Sequence, residues 1–265
     1  MMKYLTIPPA PRFREIIRSY WLLESDEPYT HHSMADMCPE LLFHYDGRFN
    51  EIFKNGKQES SFTAGIHGQS RVIRQFHITS GFGMFGVYFY PHAIPLLFNI
   101  PASDLTNQVP ELSLLLKSTG LALEEKIAAA HTLPERIAII EQFVDEQLAR
   151  QYDELPIFRA IRQIIATRGL INVKSVSEQY YLSERQFERQ FNYFAGFSPK
   201  LFARITRFNH AVKQYGSKGK SLTEIALECG YYDQSHFIHD FKEFSGLQPK
   251  VFFAGKSPAT TWMEE

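Results

Sequence analysis

The C-terminal hundred residues contain one pattern twice, and the two copies lie 50 positions apart. Seven residues of the first copy return as the same residue types in the second. They are Phe187, Phe191, Phe194, Gly196, Pro199, Lys200 and Phe202, followed by Phe237, Phe241, Phe244, Gly246, Pro249, Lys250 and Phe252. The pairs Tyr181 with Tyr231 and Glu178 with Glu228 extend the same offset, so we expect the copies to align without an insertion. A fixed period in this range indicates a repeated supersecondary unit.

The first copy is predicted to be a helix-turn-helix element, which places its second helix in the major groove of DNA. The scaffold helix is predicted at 173–180 and the turn at Tyr181-Leu182. Ser183 and Gln186 have the spacing of a capping box at the start of the second helix and are also candidate DNA-binding residues. At helical periodicity the phenylalanines form one apolar stripe along that helix. The polar residues opposite the stripe are Arg185, Arg189 and Asn192, with Glu188 beside them. An arginine side chain suits guanine, and an asparagine side chain suits adenine.

The second copy repeats this arrangement. Leu222, Ile225 and Ala226 belong to its scaffold helix, which is predicted to end at Cys229-Gly230. Asp233 is the predicted N-cap of the second helix. The residues opposite the phenylalanine stripe are Ser235, His239 and Lys242, with Ile238 beside them. The flexible point charge of Lys242 suits a phosphate better than a base.

A single helix is predicted to join the two copies, from Ser198 to Tyr215. At 1.5 Å per residue it would be roughly 27 Å long. A stiff connector would make the two second helices a fixed pair. Since successive major-groove faces lie about 34 Å apart on one side of B-DNA, such a pair could contact two neighbouring grooves.

The charge of the chain is divided unevenly along its length. Residues 156–257 hold 15 Lys and Arg against 8 Asp and Glu, whereas the whole chain has a net charge of −1. This asymmetry indicates that the C-terminal part meets a polyanion, the alternative being two ordinary domains of unequal charge. Two cysteines, Cys38 and Cys229, make neither a disulfide framework nor a zinc site. We find no apolar run typical of a signal peptide or membrane span, so a cytoplasmic protein is expected.

The first half is predicted to consist mainly of β-strands as far as about Leu112. Leu41–Tyr45 ends at the turn dipeptide Asp46-Gly47, and Phe85–Tyr90 ends at Pro91. Both alternating faces of the second run are apolar or aromatic, which predicts a strand covered on both sides. Residues 95–109 are predicted to be a short helix followed by a loop.

The pattern becomes helical from about Ser118. Thr132 and Glu135 have capping-box spacing, and the helix that follows could pack on the first domain or on a second subunit. We therefore expect a two-domain α+β chain. The predicted divisions are a mostly-β domain at 1–115, a helical connector at 116–154, and an all-α domain with two helix-turn-helix elements at 155–257.

The C-terminal part resembles the AraC/XylS family of bacterial transcription regulators. The resemblance covers about Ile157 to Phe253. It rests on Ile225-Ala226, Cys229-Gly230-Tyr231, Asp233-Gln234-Ser235-His236-Phe237, Phe241-Lys242, Gly246 and Pro249, and less closely on 183–202. It implies seven helices in two subdomains and a transcription regulator, an activator being expected, with promoter DNA and RNA polymerase as partners.

The resemblance also implies roles for individual residues. Arg185, Glu188 and Arg189 would contact bases or backbone in the first element, and Gln234, Ser235, Ile238 and His239 would occupy the matching places in the second. The family commonly has Arg where this chain has His239, and histidine is shorter and neutral near pH 7 unless stabilised. The second element is therefore expected to bind more weakly or to serve mainly as a phosphate anchor.

The first half resembles, less specifically, the cupin-like domains that many such regulators carry, in the Pro8-Pro9 start, in Tyr20-Trp21 and in the predicted strands at 39–43 and 86–91. The resemblance implies a mostly-β, cupin-like barrel. In the family this half binds a small effector, mediates homodimerisation, or both. A metal-dependent cupin enzyme is the competing class. His31-His32 are adjacent and point to opposite faces of a strand, however, so we expect no metal, no cofactor and no catalysis. The aromatic surplus could line an apolar pocket or fill a solid core: Phe82, Phe85, Tyr88, Phe89, Tyr90 and Phe98.

Overall fold

The computed structural model describes residues 2–149, 154–214 and 220–255, and its first part is built from two antiparallel sheets. The strands are β1 Lys3–Ile7, β2 Ile17–Ser25, β3 Tyr29–Ser33, β4 Glu40–Asp46, β5 Asn50–Ile52, β6 Gln58–Ser60, β7 Ala64–His67, β8 Arg74–Ile78 and β9 Phe82–Phe89. The five-stranded sheet has the order β1-β2-β9-β4-β7 and the four-stranded sheet the order β3-β8-β5-β6. The prediction of a mostly-β N-terminal fold is confirmed.

The five-stranded sheet is covered on both faces. On one face Phe85, Val87 and Phe89 of β9 are fully buried in a core shared with helices. On the other face Phe82 packs against Tyr29 of the second sheet, with ring centroids 5.7 Å apart. The prediction that this strand is buried on both sides is correct. The buried aromatic residues of β9 fill solid cores. Of the two alternatives, an apolar pocket or a solid core, the second therefore applies to them.

Five helices follow β9 and lie against the first core. They are α1 Ala93–Phe98, α2 Ala102–Leu105, α3 Leu112–Leu116, α4 Ser118–Ala129 and α5 Leu133–Leu148. Residues 95–109 were predicted to hold one short helix, but α1 ends at Asn99, whose φ of 54° is left-handed, and α2 follows it. The capping box of Thr132 and Glu135 is present at the start of α5. Phe143 of α5 packs 6.1 Å from Phe98, so this helix packs within the chain.

The C-terminal part is helical throughout its described residues, as predicted. Its helices are α6 Pro156–Ala166, α7 Val173–Gln179, α8 Glu184–Ala195, α9 Pro199–Val212, α10 Leu222–Glu228, α11 Gln234–Ser245 and α12 Pro249–Phe253. The connector α9 has 14 residues and begins after the N-cap Ser198. The prediction had extended it to Tyr215, which lies outside the described residues.

One apolar core joins both helix-turn-helix elements through α9. Phe202, near the start of α9, packs 5.2 Å from Phe191 of α8. Phe208, two turns later, packs 5.3 Å from Phe241 and 5.6 Å from Phe244 of α11. All five rings are fully buried. Because one straight helix carries both contacts, α8 and α11 are held as a fixed pair.

The 50-residue offset does not hold on the N-terminal side of the turns. The prediction that the two copies align without an insertion is therefore wrong. The amide of Leu182 donates to Ser177 O, and the amide of Tyr231 makes the matching bond to Ala226 O. Leu182 and Tyr231 are therefore equivalent, at an offset of 49. The second turn contains one additional residue, Tyr232, and the offset becomes 50 only at the N-caps Ser183 and Asp233.

The N-terminal part contacts the C-terminal end of α8. Thr106 Oγ1 donates a hydrogen bond of 2.8 Å to the carbonyl oxygen of Gly196, the left-handed residue that ends α8. Fully buried Gln69 lies over the same glycine and binds Thr106 Oγ1 at 2.9 Å. This contact leaves no room for a side chain at position 196.

The N-terminal part contacts the end of α11 in the same way. The amide of Ala35 donates to Phe244 O at 2.9 Å, and Asn209 Nδ2 of α9 donates to Ala35 O at 2.8 Å. Ile73 lies beside Gly246, the residue that ends α11. We call Ala35, Gln69, Ile73 and Thr106 the docking surface. It touches the ends of both helices, so the N-terminal part also constrains how they are placed.

A buried histidine adds to this interdomain contact. The His92 ring stacks on Phe158 of α6 with centroids 4.7 Å apart, and its Nε2 lies 2.8 Å from Glu15 O. His92 is fully buried, and loss of hydration lowers its pKa to about 3. The neutral ring is the form that the interface accommodates.

Among the described residues, no helix has the length and apolar character to cross a membrane.

Gly196→Ala should destabilise the protein more than Gly246→Ala. Both glycines end a helix with φ near 73°, so alanine costs about 1–2 kcal/mol at either site. At Gly196 the added methyl group would also overlap Gln69 Nε2, whereas at Gly246 the nearest atom, Ile73 Cδ1, would be 3.0 Å away. Thermal unfolding of the two variants tests this, and equal losses would contradict the described contact between Gln69 and α8.

Stability should fall as pH drops below 6.5. The folded state keeps His92 neutral down to a pKa of about 3, whereas the unfolded chain takes up the proton near pH 6.5. The contribution is complete above pH 6.5 and is lost at about 1.4 kcal/mol per pH unit between 6.5 and 3. His92→Gln should flatten the decline in thermal midpoint, while replacing the exposed His131 by Gln should not. An identical pH profile for His92→Gln would refute this role.

Candidate nucleic-acid interface

The first recognition helix, α8, begins with a reciprocal cap. Ser183 Oγ accepts from the amide of Gln186 at 3.3 Å, and Gln186 Oε1 accepts from the amide of Ser183 at 3.2 Å. The predicted capping box is therefore present. Because these two side chains bind each other, their first task is to fix the start of the helix.

The exposed face of α8 carries the predicted polar residues. Phe187 and Phe191 are buried below, and four predicted contact residues are exposed above them: Arg185, Glu188, Arg189 and Asn192. Within the described residues neither arginine forms an ion pair. Two free guanidinium groups one helical turn apart can each bind a guanine edge or a phosphate.

The second recognition helix, α11, presents a less basic face. Asp233 accepts from the amide of His236 at 2.8 Å and so caps the helix as predicted. The predicted contact residues Gln234, Ser235, His239 and Lys242 are exposed, and Ile238 is half-buried. Gln234 Oε1 accepts from Thr223 Oγ1 of α10 at 3.1 Å, which ties the side chain to the scaffold helix.

Arg204 of α9 holds α11 from behind. Its Nη2 lies 2.7 Å from Asp240 Oδ1 and 2.7 Å from Glu243 Oε2. The hydrogen bond with Asp240, followed by that with Glu243, raises the pKa of Arg204, so it stays charged at every accessible pH. Asp240 is buried, and this bidentate pair therefore fixes the rotation of α11 about its axis.

The same carboxylates lie beside His239, whose Nδ1 is 3.7 Å from Asp240 Oδ1. His239, Asp240 and Glu243 bring three ligand-type atoms within 4.8 Å of one another. Both carboxylates already bind Arg204, so the cluster is an ion-pair network in which each carboxylate has a cationic partner without a metal ion. His239 remains mostly exposed on the outer face of the helix.

Two exposed tyrosines at the turns are not among the contact residues predicted from the sequence. Tyr181 is 97% exposed and adopts a left-handed φ of 57°, where the second element has Gly230. Tyr232, the additional residue of the second turn, is 88% exposed. Both precede a recognition helix by a few residues. A non-glycine residue with a left-handed φ, such as Tyr181, marks an unusual turn. The sequence alone does not reveal this backbone angle.

Comparison with known proteins agrees with this geometry. A family model described as a helix-turn-helix domain matches residues 176–255, which hold both recognition helices. The transcriptional activator RhaS of Salmonella arizonae is 30% identical over 83 residues, 31% of this chain and 30% of its own length. Over these residues the chain is similar to AraC-type helix-turn-helix regulators.

A second regulator is similar to this chain over a stretch of comparable length. The transcriptional regulator ArgR of Pseudomonas aeruginosa is 26% identical over 80 residues, 30% of this chain and 24% of its own length. The matches thus span less than a third of these curated relatives. Residues 5–111 match a separate family, a domain of unknown function designated DUF6597.

A solved structure matches nearly the whole chain. ToxT of Vibrio cholerae covers 96% of this chain and 98% of its own, with a TM-score of 0.50 and 8% sequence identity. At this identity the likeness concerns the fold alone. A β-rich first part joined to a helical family domain is therefore an arrangement that another known protein shares.

Arg204→Ala should destabilise the protein by about 2 kcal/mol, because it leaves the buried Asp240 carboxylate without its cation. Lys200→Ala, which removes an exposed charge from the same helix, should have little effect. The two thermal midpoints provide the measurement. Equal midpoints would mean that Arg204 does not hold α11.

Proposed function

We propose that the protein is a sequence-specific, DNA-binding transcription regulator whose helices α8 and α11 enter neighbouring major grooves. One observation carries the proposal. Two capped helices, each exposing polar residues above a buried phenylalanine stripe, pack on the same connector helix. The excess of Lys and Arg in 156–257 supports a polyanionic partner.

The two helices are assigned different tasks. Arg185, Arg189 and Asn192 have free, exposed side chains suited to base edges, and Glu188 beside them suits cytosine. On α11, Ser235 and Ile238 suit less specific base contacts, and Lys242 and His239 suit phosphates. Ser183, Gln186 and Gln234 are engaged in bonds within the protein, so we assign them to positioning the helices.

The N-terminal part is proposed to bind a small effector, to form a homodimer, or both. Its docking surface supports an influence on DNA binding, since it touches the ends of both recognition helices. A bacterial regulator of this kind would act in the cytoplasm and contact RNA polymerase, with activation as the expected outcome. The roles proposed for the two parts of the chain require no catalytic group.

Arg185→Ala and Arg189→Ala should each weaken binding to the specific site by about 1–3 kcal/mol and weaken binding to random DNA less. The specific site is first obtained by selecting bound duplexes from a random library with the full chain. Fluorescence anisotropy then gives both affinities. Lys126→Ala, which removes an exposed charge from α4, is the matched control.

Lys242→Ala should behave differently from the two arginine variants. A phosphate contact is lost equally on specific and random DNA, and the slope of log affinity against log salt should fall by about one. Equal losses on both DNAs for Arg185→Ala and Arg189→Ala would reassign them to phosphates. Failure to enrich any sequence would overturn the proposed function.

A further inference from the structure

A recess lies between the two sheets of the N-terminal part, away from the recognition helices. Its volume is about 190 Å³, and the rings of Phe62 and Phe76 form two of its walls. His67 lies between them, with ring centroids 5.7 Å from Phe62 and 5.2 Å from Phe76. A cavity of roughly 150 Å³ is known to hold benzene, so this recess suits a molecule with a single ring or a short chain.

Carboxylates dominate the polar part of the lining. Glu51, Glu59 and Glu111 all face the recess. Arg74 Nη1 binds Glu51 Oε1 at 2.6 Å, and Lys57 pairs with Glu59. Within the described residues Glu111 has no cationic partner, and its carboxylate accepts a hydrogen bond of 3.5 Å from the Ser113 hydroxyl. The recess therefore has an uncompensated negative charge at its mouth.

The remaining lining groups leave that charge in place. Burial, followed by the nearby His31 and Arg74, lowers the pKa of His67 to about 3, so the ring is neutral at pH 7. A ligand amine could donate to a lining carboxylate, and phenyl faces attract cations.

The spacing of the carboxylates favours an organic cation over a metal ion. Among the described residues, the group of three or more acidic, histidine or cysteine side chains whose ligand atoms all lie within 4.8 Å of one another is His239, Asp240 and Glu243, which lie elsewhere. No three of the described acidic or histidine side chains of the recess converge this closely. An ion needs its ligands converging on one point, whereas an extended molecule does not.

We propose that this recess is the effector site of the N-terminal part and that it binds a small organic amine. The inference rests on the proposed function, because it assigns a ligand class to the sensing role suggested there. The ammonium group lies at Glu111, and the apolar part of the ligand lies against Phe62 and Phe76.

A short chain of contacts leads from the recess to α8. Arg74, which binds Glu51 in the wall, also donates from Nη2 to Asn107 O at 2.9 Å. The amide of Asn107 donates to Gln69 O at 3.0 Å. Gln69 and Thr106 in turn hold Gly196 at the end of α8. The Glu51–Arg74 pair lies in the wall of the recess, so a ligand that fills the recess shifts this pair, loosens the chain of bonds and alters the placement of α8.

Thermal unfolding of the full chain without DNA tests the site. Benzylamine, phenethylamine and putrescine are compared with benzyl alcohol, the neutral analogue of benzylamine, and with benzoate, which carries the opposite charge. At saturation at least one amine should raise the midpoint by roughly 3–6 °C. No rise with any of the three amines, or an equal rise with benzyl alcohol or benzoate, overturns the proposal.

A pair of variants locates the binding. Glu111→Gln should weaken the affinity for the stabilising amine about tenfold or more, measured by calorimetric titration. Glu125→Gln, which removes an exposed carboxylate from α4, should leave the affinity unchanged. Equal affinities for the two variants would place the amine elsewhere and refute the assignment.

The connection to α8 is tested on the selected DNA site. The stabilising amine should change the DNA affinity about fivefold or more. Thr106→Val, which removes the bond to Gly196 O, should suppress that change while the amine still binds. Unchanged DNA affinity with bound amine would refute the connection. A chain that selects no DNA would refute the proposed function, whereas the amine titrations, made without DNA, would stand on their own.

Discussion

The contact of Phe202 and Phe208 with the two recognition helices is the constraint on which the rest of the molecule depends. The two rings lie six residues apart on one helix, so the points at which α8 and α11 contact the connector lie about 9 Å apart along its axis. The rings are fully buried, and interiors pack too densely for either to shift alone. Each recognition helix thus has a fixed backing, and its polar residues remain exposed.

A second constraint comes from the N-terminal part. The docking surface binds the last carbonyl groups of α8 and α11, which a helix cannot satisfy internally. These bonds meet an existing need of the helix ends, so the two parts share an interface at those ends. Buried His92 makes that interface dependent on pH. A change in the loop at 69–73 therefore reaches both helices directly, and a change at Thr106 reaches α8.

Local patterns in the sequence predict much of this structure. The phenylalanine stripes follow the helical period, and the caps at Ser183, Asp233 and Thr132 follow from short-range chemistry that any sequence displays. The turn offset was predicted wrongly, because tyrosine occurs by coincidence at both 181 and 231 and hides the additional residue Tyr232. Long-range contacts could not be predicted in this way. Arg204 and Asp240 lie 36 positions apart, and Ala35 meets Phe244 across most of the chain.

The single residue that lengthens the second turn makes the two halves of the repeat unequal. With a left-handed tyrosine in one turn and a glycine in the other, and with arginine on α8 where α11 has histidine, exchanging the halves would not restore the same surface. In the proposed complex a monomer of this protein therefore has a defined direction along the double helix. Inverting its binding sequence would turn the N-terminal part toward the opposite side of the promoter.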